Sequence, residues 1–173
     1  MKLISHQIIP MILAGFLISI LSCNNSTPVK EGDFILKNRE LILKKAQDGD
    51  AYYQGIMALI YASGGIYGED NMNEAYKWAK KSSEQKNPVG IIVLAEMYYD
   101  GNIVDKDEQQ AKKMYLEAFP GLDELAQSGD EIAQLLLSMM YQDGRGIQED
   151  AEKGDYWLNQ SAEQGNTMAM AII

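Results

Sequence analysis

Few side chains in this sequence could carry covalent or acid-base chemistry. His6 is the sole histidine and Cys23 the sole cysteine. One of each cannot build a disulfide framework or a multi-histidine or multi-cysteine metal site within one chain. His6 lies in an apolar leader, and if that leader is removed the mature chain has no imidazole, which excludes Ser-His-Asp and Cys-His catalysis. Carboxylates are plentiful, and Asp105, Asp107 and Glu108 share one loop. That loop lacks the glycine and distal glutamate spacing of a calcium-binding EF-hand, so a solvated helix cap is the expectation. Gly144-Arg145-Gly146 reads as a turn between helices rather than a phosphate cradle. The chain is therefore expected not to be an enzyme, with no catalytic residue, metal or cofactor. A carboxylate pair acting on cell-wall glycans is the one enzymatic reading left open.

Cys23 has a different chemistry available. Behind Lys2, an apolar run from Ile8 to Leu21 is interrupted by Pro10 and Gly15 and ends at Ile20-Leu21-Ser22-Cys23. It is shorter than the roughly twenty residues of a bilayer span, and its layout is that of an export signal over residues 1–22. Its end resembles the bacterial lipobox, in which the cysteine becomes the acylated first residue of the mature chain. Each buried methylene of such a lipid adds about 0.8 kcal/mol of membrane affinity. Residues 23–33, with Asn, Ser, Thr, Pro and Gly, then form a lipidated flexible tether. The resemblance implies a lipid-anchored protein of the bacterial cell envelope, facing the periplasm. An ordinary cleaved signal or an uncleaved anchor are the alternatives.

With 15 basic against 25 acidic residues the formal net charge is −10. An acidic body repels phosphate backbones, so nucleic-acid binding is not expected. A basic partner, or solubility alone, accounts for the charge.

The rest of the chain must be positioned by repeated elements. Tyr61-Ala62-Ser63-Gly64 recurs as Tyr98-Tyr99-Asp100-Gly101 and Tyr141-Gln142-Asp143-Gly144. Counting back from each tyrosine, Met57, Leu94 and Leu137, the small Ala58, Ala95 and Ser138, and then Ile60, Met97 and Met140 make an apolar stripe at helical spacing. A short loop ends at Asn71, Asp107 or Asp150, each able to cap a second helix. Ala75, Ala111 and Gly154 follow as small contact residues, and Trp78, Met114 and Trp157 as inward-packing ones. Asp50, Asn87, Asp130 and Asn166 are placed to cap the first helices, with Pro88 suited to the first helical position. Glycine closes the second helices except at Lys86.

These motifs, above all Ala133-Gln134 through Ile147 and Tyr156-Trp157 with Ser161-Ala162-Glu163-Gln164-Gly165, resemble the Sel1-like repeat family, relatives of the tetratricopeptide repeat. The resemblance implies an all-α, right-handed α-α solenoid over residues 34–173. It divides into a partial unit 34–49, repeats 50–86, 87–129 and 130–165, and a truncated helix 166–173. The middle repeat departs by an insertion carrying Pro120-Gly121. Proline there is expected to break the helix and leave a bulge or an extra turn from Leu122 to Ser128.

Repeat solenoids present long surfaces to other proteins. The positions that the family resemblance leaves variable on the concave side are Tyr52, Ile56 and Leu59, then Val89, Val93 and Glu96, then Ile132, Leu136 and Met139. They form a candidate groove for a partner segment, unless packing between successive first helices buries them. The leading functional reading is a membrane-anchored adaptor or scaffold that binds a partner protein, a basic toxin or an envelope protein, on this face. The alternative is an immunity protein that neutralises a secreted lipase-type toxin, as some Sel1-like lipoproteins do.

Overall fold

A computed structural model of the chain describes Ile35 and residues 38–63 and 71–173. The leader, Cys23, the tether and residues 64–70 lie outside the described residues. Among the described residues there are eight helices and no strand: α1 (Arg39–Gln47), α2 (Ala51–Ala62), α3 (Met72–Glu84), α4 (Pro88–Asp100), α5 (Glu108–Gln127), α6 (Glu131–Asp143), α7 (Ala151–Glu163) and α8 (Thr167–Ile172). The most extensive packing is within the pairs α2–α3, α4–α5 and α6–α7, while α3–α4 and α5–α6 join one pair to the next. The architecture is an all-α solenoid of helix pairs.

Side-chain caps set where each helix begins. Asp50, Asn87, Asp130 and Asn166 accept hydrogen bonds from first-turn N–H groups of α2, α4, α6 and α8. Asn71, Asp107 and Asp150 do the same for α3, α5 and α7. Each cap is worth about 1 kcal/mol. The recurring tyrosine marks the point where each repeat closes: the N–H groups of Asn71, Asp107 and Asp150 donate to the carbonyls of Tyr61, Tyr98 and Tyr141 at 3.3, 2.8 and 2.8 Å. Gly49, Gly129 and Gly165 end their helices at φ of 99°, 96° and 93°. The next residue then bonds back to the helix, Asp50 to Lys45, Asp130 to Leu125 and Asn166 to Ser161, a Schellman closure. Asn87 bonds to Ser82 in the same way, with Lys86 forced to φ 61° in the glycine position.

The apolar stripe of the first helices is core. Met57, Ala58, Ile60, Leu94, Ala95, Met97, Leu137, Ser138 and Met140 are all buried. Ala75, Ala111 and Gly154 are buried against them, and a Cβ on Gly154 would fall 2.4 Å from Gln142 Cγ. Polar ties recur at the same offset. Gln54 and Gln134 donate to the carbonyls of Ala46 and Ala126, and each accepts from the glutamine that ends the next second helix, Gln85 or Gln164. Ser82 and Ser161 donate to the carbonyls of Ala51 and Glu131 at 2.6 and 2.7 Å.

The break expected at Pro120 does not occur, because α5 runs unbroken from Glu108 to Gln127 and the stretch from Leu122 to Gln127 forms its last turns. Pro120, and Leu116 whose carbonyl loses its helical donor, both lie on the exposed side, where water can take the bond. On the opposite side Ala118 and Leu122 are buried, and this packing holds the helix across the missing bond.

Two substitutions test these local conflicts through urea unfolding. Pro120→Ala should raise stability by about 1–3 kcal/mol by restoring a helical hydrogen bond. Lys86→Gly should raise it by about 1 kcal/mol by relieving a positive φ. A loss of stability in either would show that the native residue makes contacts worth more than its backbone conflict.

Candidate functional site

The first helices α2, α4, α6 and α8 together wall a cavity of about 410 Å³. Its lining comes from the end of α2 (Leu59, Ala62, Ser63), from Met72, from α4 and the turn after it (Ile92, Val93, Glu96, Met97, Asp100, Asn102), from α6 (Ile132, Leu135, Leu136, Met139, Met140) and from Met168 on α8. Five of the ten methionines of the chain are here, and among the described residues no aromatic, lysine or arginine lines it. Flexible, polarisable methionine side chains suit a surface that adapts to apolar partners.

The cavity opens where the stack loosens. Helices α2 and α4 are in extended contact, whereas α4 and α6 touch at few positions. On the tight side a Cβ on Gly55 would fall 2.9 Å from Val89 Cβ. On the loose side α5, with 20 residues against 13 in α3 and in α7, is longer by about two turns, or about 10 Å of rise. Helix α6 begins where α5 ends, so the longer helix sets it back from α4.

The structure sorts the nine positions expected to face a partner. Leu59, Glu96 and Met139, each two residues before its tyrosine, are half-buried and line the cavity, with Val93, Ile132 and Leu136 deeper in its walls. Ile56 and Val89 have no exposed surface and pack within the stack. Tyr52 is committed elsewhere: its hydroxyl donates to Asp130 Oδ2, tying the start of α2 to the cap of α6. Burial, then the charge of Asp130, raises the Tyr52 phenol well above its ordinary value. Cys23 lies outside the described residues.

Of the two carboxylates that line this wall, Glu96 and Asp100, Glu96 is the less exposed. Its Oε1 accepts from the Tyr115 hydroxyl at 2.6 Å, and that hydroxyl accepts in turn from Arg145 Nη1 at 3.1 Å. Arg145 Nη1 is 3.2 Å from Glu96 Oε2, its Nε is 3.5 Å from Asp143, and its guanidinium stacks 3.8 Å from the Tyr99 ring. Glu96 Oε2 is enclosed and receives no hydrogen bond. Burial raises the Glu96 carboxyl to about 7, against the opposing pull of Arg145. The turn carrying Arg145 comes this close because Gly146 has no side chain, and a Cβ there would fall 2.5 Å from Tyr115 Cβ.

The Sel1 repeat family matches residues 49–87, 88–119 and 132–166, more than half of the chain. The chain belongs to the Sel1 repeat family. Proteins built of Sel1 repeats generally mediate protein-protein interaction. The family pattern skips residues 120–131, which hold the last turns of α5 and the turn into α6. Among solved structures, the chain is similar to a Sel1 repeat protein from Oxalobacter formigenes, with 28% identity over 78% of this chain and 95% of the other and a TM-score of 0.41. It is also similar to a protective antigen of uropathogenic Escherichia coli with an SLR fold, with 23% identity over 91% of this chain and 39% of the other and a TM-score of 0.44. No curated protein matches the chain.

Several Sel1 groove residues escaped the sequence reading. Met168 stands two residues after the cap Asn166, as Tyr52, Val89 and Ile132 stand after theirs, so extending the repeat offset finds it. Asp100 lies one turn beyond Glu96 on α4. Arg145 carried no signal beyond being a long cation in a glycine turn.

Glu96 gives a pH test. A folded-state carboxyl raised from 4.5 to about 7 contributes stability that is fully present below about pH 4.5 and lost as the pH rises through about 7. Glu96→Gln cannot ionise. Its stability relative to the native chain should therefore improve by on the order of 3 kcal/mol between about pH 4.5 and about pH 8. If the variant instead loses ground as the pH rises, the carboxyl is ionised throughout and stabilised by Arg145.

Proposed function

We propose that this chain is a membrane-anchored protein-interaction module: a lipid on Cys23 holds it to the bacterial envelope on the periplasmic side, and the cavity between its first helices receives a segment of a partner protein. The observation that carries this reading is the cavity itself, an apolar, methionine-lined hollow of about 410 Å³ on the face where a Sel1 stack is free to bind. The anchor is supported by the Ser22-Cys23 ending of the leader. Among the described residues no helix is long and apolar enough to cross a membrane, and no group of residues could hold a metal ion.

A net charge of −10 favours a basic partner and, as a second reading, an immunity protein that neutralises a secreted lipase-type toxin. Both readings use the same face.

A photo-crosslinking residue placed at Met139, in the cavity, should trap a discrete protein adduct in cells, and one at Tyr156, exposed on α7, should not. Cys23→Ser should move the protein from the membrane to the soluble fraction and remove the lipid mass from its amino-terminal peptide. Adducts only at Tyr156, or an unlipidated Cys23, would sink the respective half of the reading. A lipase adduct that forms only beside a competing strain selects the immunity protein over the adaptor.

A further inference from the structure

Charge is spread unevenly along the stack. Residues 114–173 hold eleven acidic side chains and only two basic ones, Arg145 and Lys153. Toward the other end, lysines gather on one edge. Lys44 and Lys45 occupy the last turn of α1, Lys80 and Lys81 the last turns of α3, and Lys86 the turn that follows, and all five are exposed. The two helix ends adjoin, since Gln85 Nε2 donates to the Gly49 carbonyl at 3.1 Å. Asp48, Asp50 and Glu84 share this edge, with Asp50 engaged in capping α2. The matching ends of α5 and α7 carry Asp123, Glu124 and Glu163 and no basic residue. Helix dipoles do not account for the contrast, because lysines would complement the carbonyl end of every helix. Glycine fills the register position of Lys86 at 49, 129 and 165, yet the lysine is held there at φ 61°. A residue kept against its backbone preference points to a use outside the fold.

We propose that the lysine edge of α1 and α3 rests on a bilayer surface of anionic phospholipid, with the acid-rich end of the stack held away from it. This rests on the anchor at Cys23. Fifteen residues separate Cys23 from Arg39, a reach of up to about 50 Å. Helix α1, with nine residues, is only about 14 Å long. The tether therefore lets the far end of α1 touch the membrane, but it does not choose which side of the body does. Charge makes that choice. Each lysine at an anionic surface strengthens association roughly fivefold, while the carboxylates of the later helices are repelled. Trp78, partly exposed, lies under Lys81, whose Nζ is 4.7 Å from the ring centroid, so an aromatic ring with a polar N–H stands beside the lysines. Such a ring suits the boundary between lipid and water.

Trp78 on α3 and Trp157 on α7 are the two tryptophans of the chain, so each can be read alone after Trp157→Phe or Trp78→Phe. The test couples the single thiol of the full chain to a maleimide phospholipid in vesicles that carry a dansyl headgroup acceptor. Energy transfer is compared between phosphatidylcholine and an equal mixture of phosphatidylcholine and phosphatidylglycerol. Transfer from Trp78 should rise in the mixture, and transfer from Trp157 should stay level or fall. The rise should disappear between about 0.1 M and about 1 M salt, where the screening length drops from about 10 Å to about 3 Å. It should also disappear in the Lys44→Gln, Lys45→Gln, Lys86→Gly variant, whose ratio of docked to undocked molecules should fall by on the order of a hundredfold. That variant leaves Trp78 and Lys81 in place, and circular dichroism checks its folding. Lys86→Gly alone, expected to be more stable than the native chain, should lower the ratio by roughly fivefold. No rise at Trp78, an equal rise at both tryptophans, or a rise that survives loss of the lysines overturns the proposal. Because the coupling supplies the anchor, these outcomes do not depend on whether the cell acylates Cys23, which the mass of the amino-terminal peptide decides separately.

Discussion

A helix that is apolar almost all round can exist only between neighbours, and this constraint organises the whole chain. In α4 every residue from Val89 to Ala95, and Met97, is buried. Between α2 and α4 the requirement is met by contact, down to a glycine lying against Val89. Between α4 and α6 it is met differently, because the longer α5 sets α6 back and the facing apolar surfaces become the walls of a hollow. Unfilled apolar space forfeits dispersion contacts. The frame tolerates that loss because it is tied at the helix ends by capping carboxylates and amides, by Tyr52 reaching Asp130, and by glutamine and serine bonds to neighbouring carbonyls.

Most of the frame was legible in the sequence, since its signals are local. Caps, helix-ending glycines and small contact residues act within a few positions of themselves, and the repeat prints each of them several times. Pro120 misled because a proline rule concerns one backbone bond. Whether its loss matters depends on which way the missing donor faces, and in α5 it faces water. The candidate groove was legible only in part. Spacing put Leu59, Glu96 and Met139 in one row, yet it could not tell them from Ile56 and Val89, because the difference is set by how far apart neighbouring helices stand. That distance is a property of the inserted turns of α5, three elements along the chain from Leu59 on α2.

Glu96 shows the same separation between what spacing reveals and what packing decides. It was the one polar member of an otherwise apolar row, and its partners come from two distant places, Tyr115 on α5 and Arg145 in the turn after α6, while Asp100 on its own helix adds a like charge. Replacing a buried ion pair with apolar side chains often leaves stability unchanged or improves it. A carboxyl kept here, with one oxygen lacking a donor, opposes the fold locally. Such a local conflict at the edge of a cavity, amid an otherwise consistent frame, is the pattern expected of a functional position.

The size of the cavity bears on how such a module would work. A hollow of about 410 Å³ accommodates a few side chains, whereas a typical stable interface draws on roughly 20–30 residues from each partner. A tether changes that requirement. If Cys23 is acylated, the module and any partner in the same membrane meet at an effective concentration far above that in free solution, reaching the millimolar range for short flexible links. Under those conditions a contact of modest intrinsic affinity suffices.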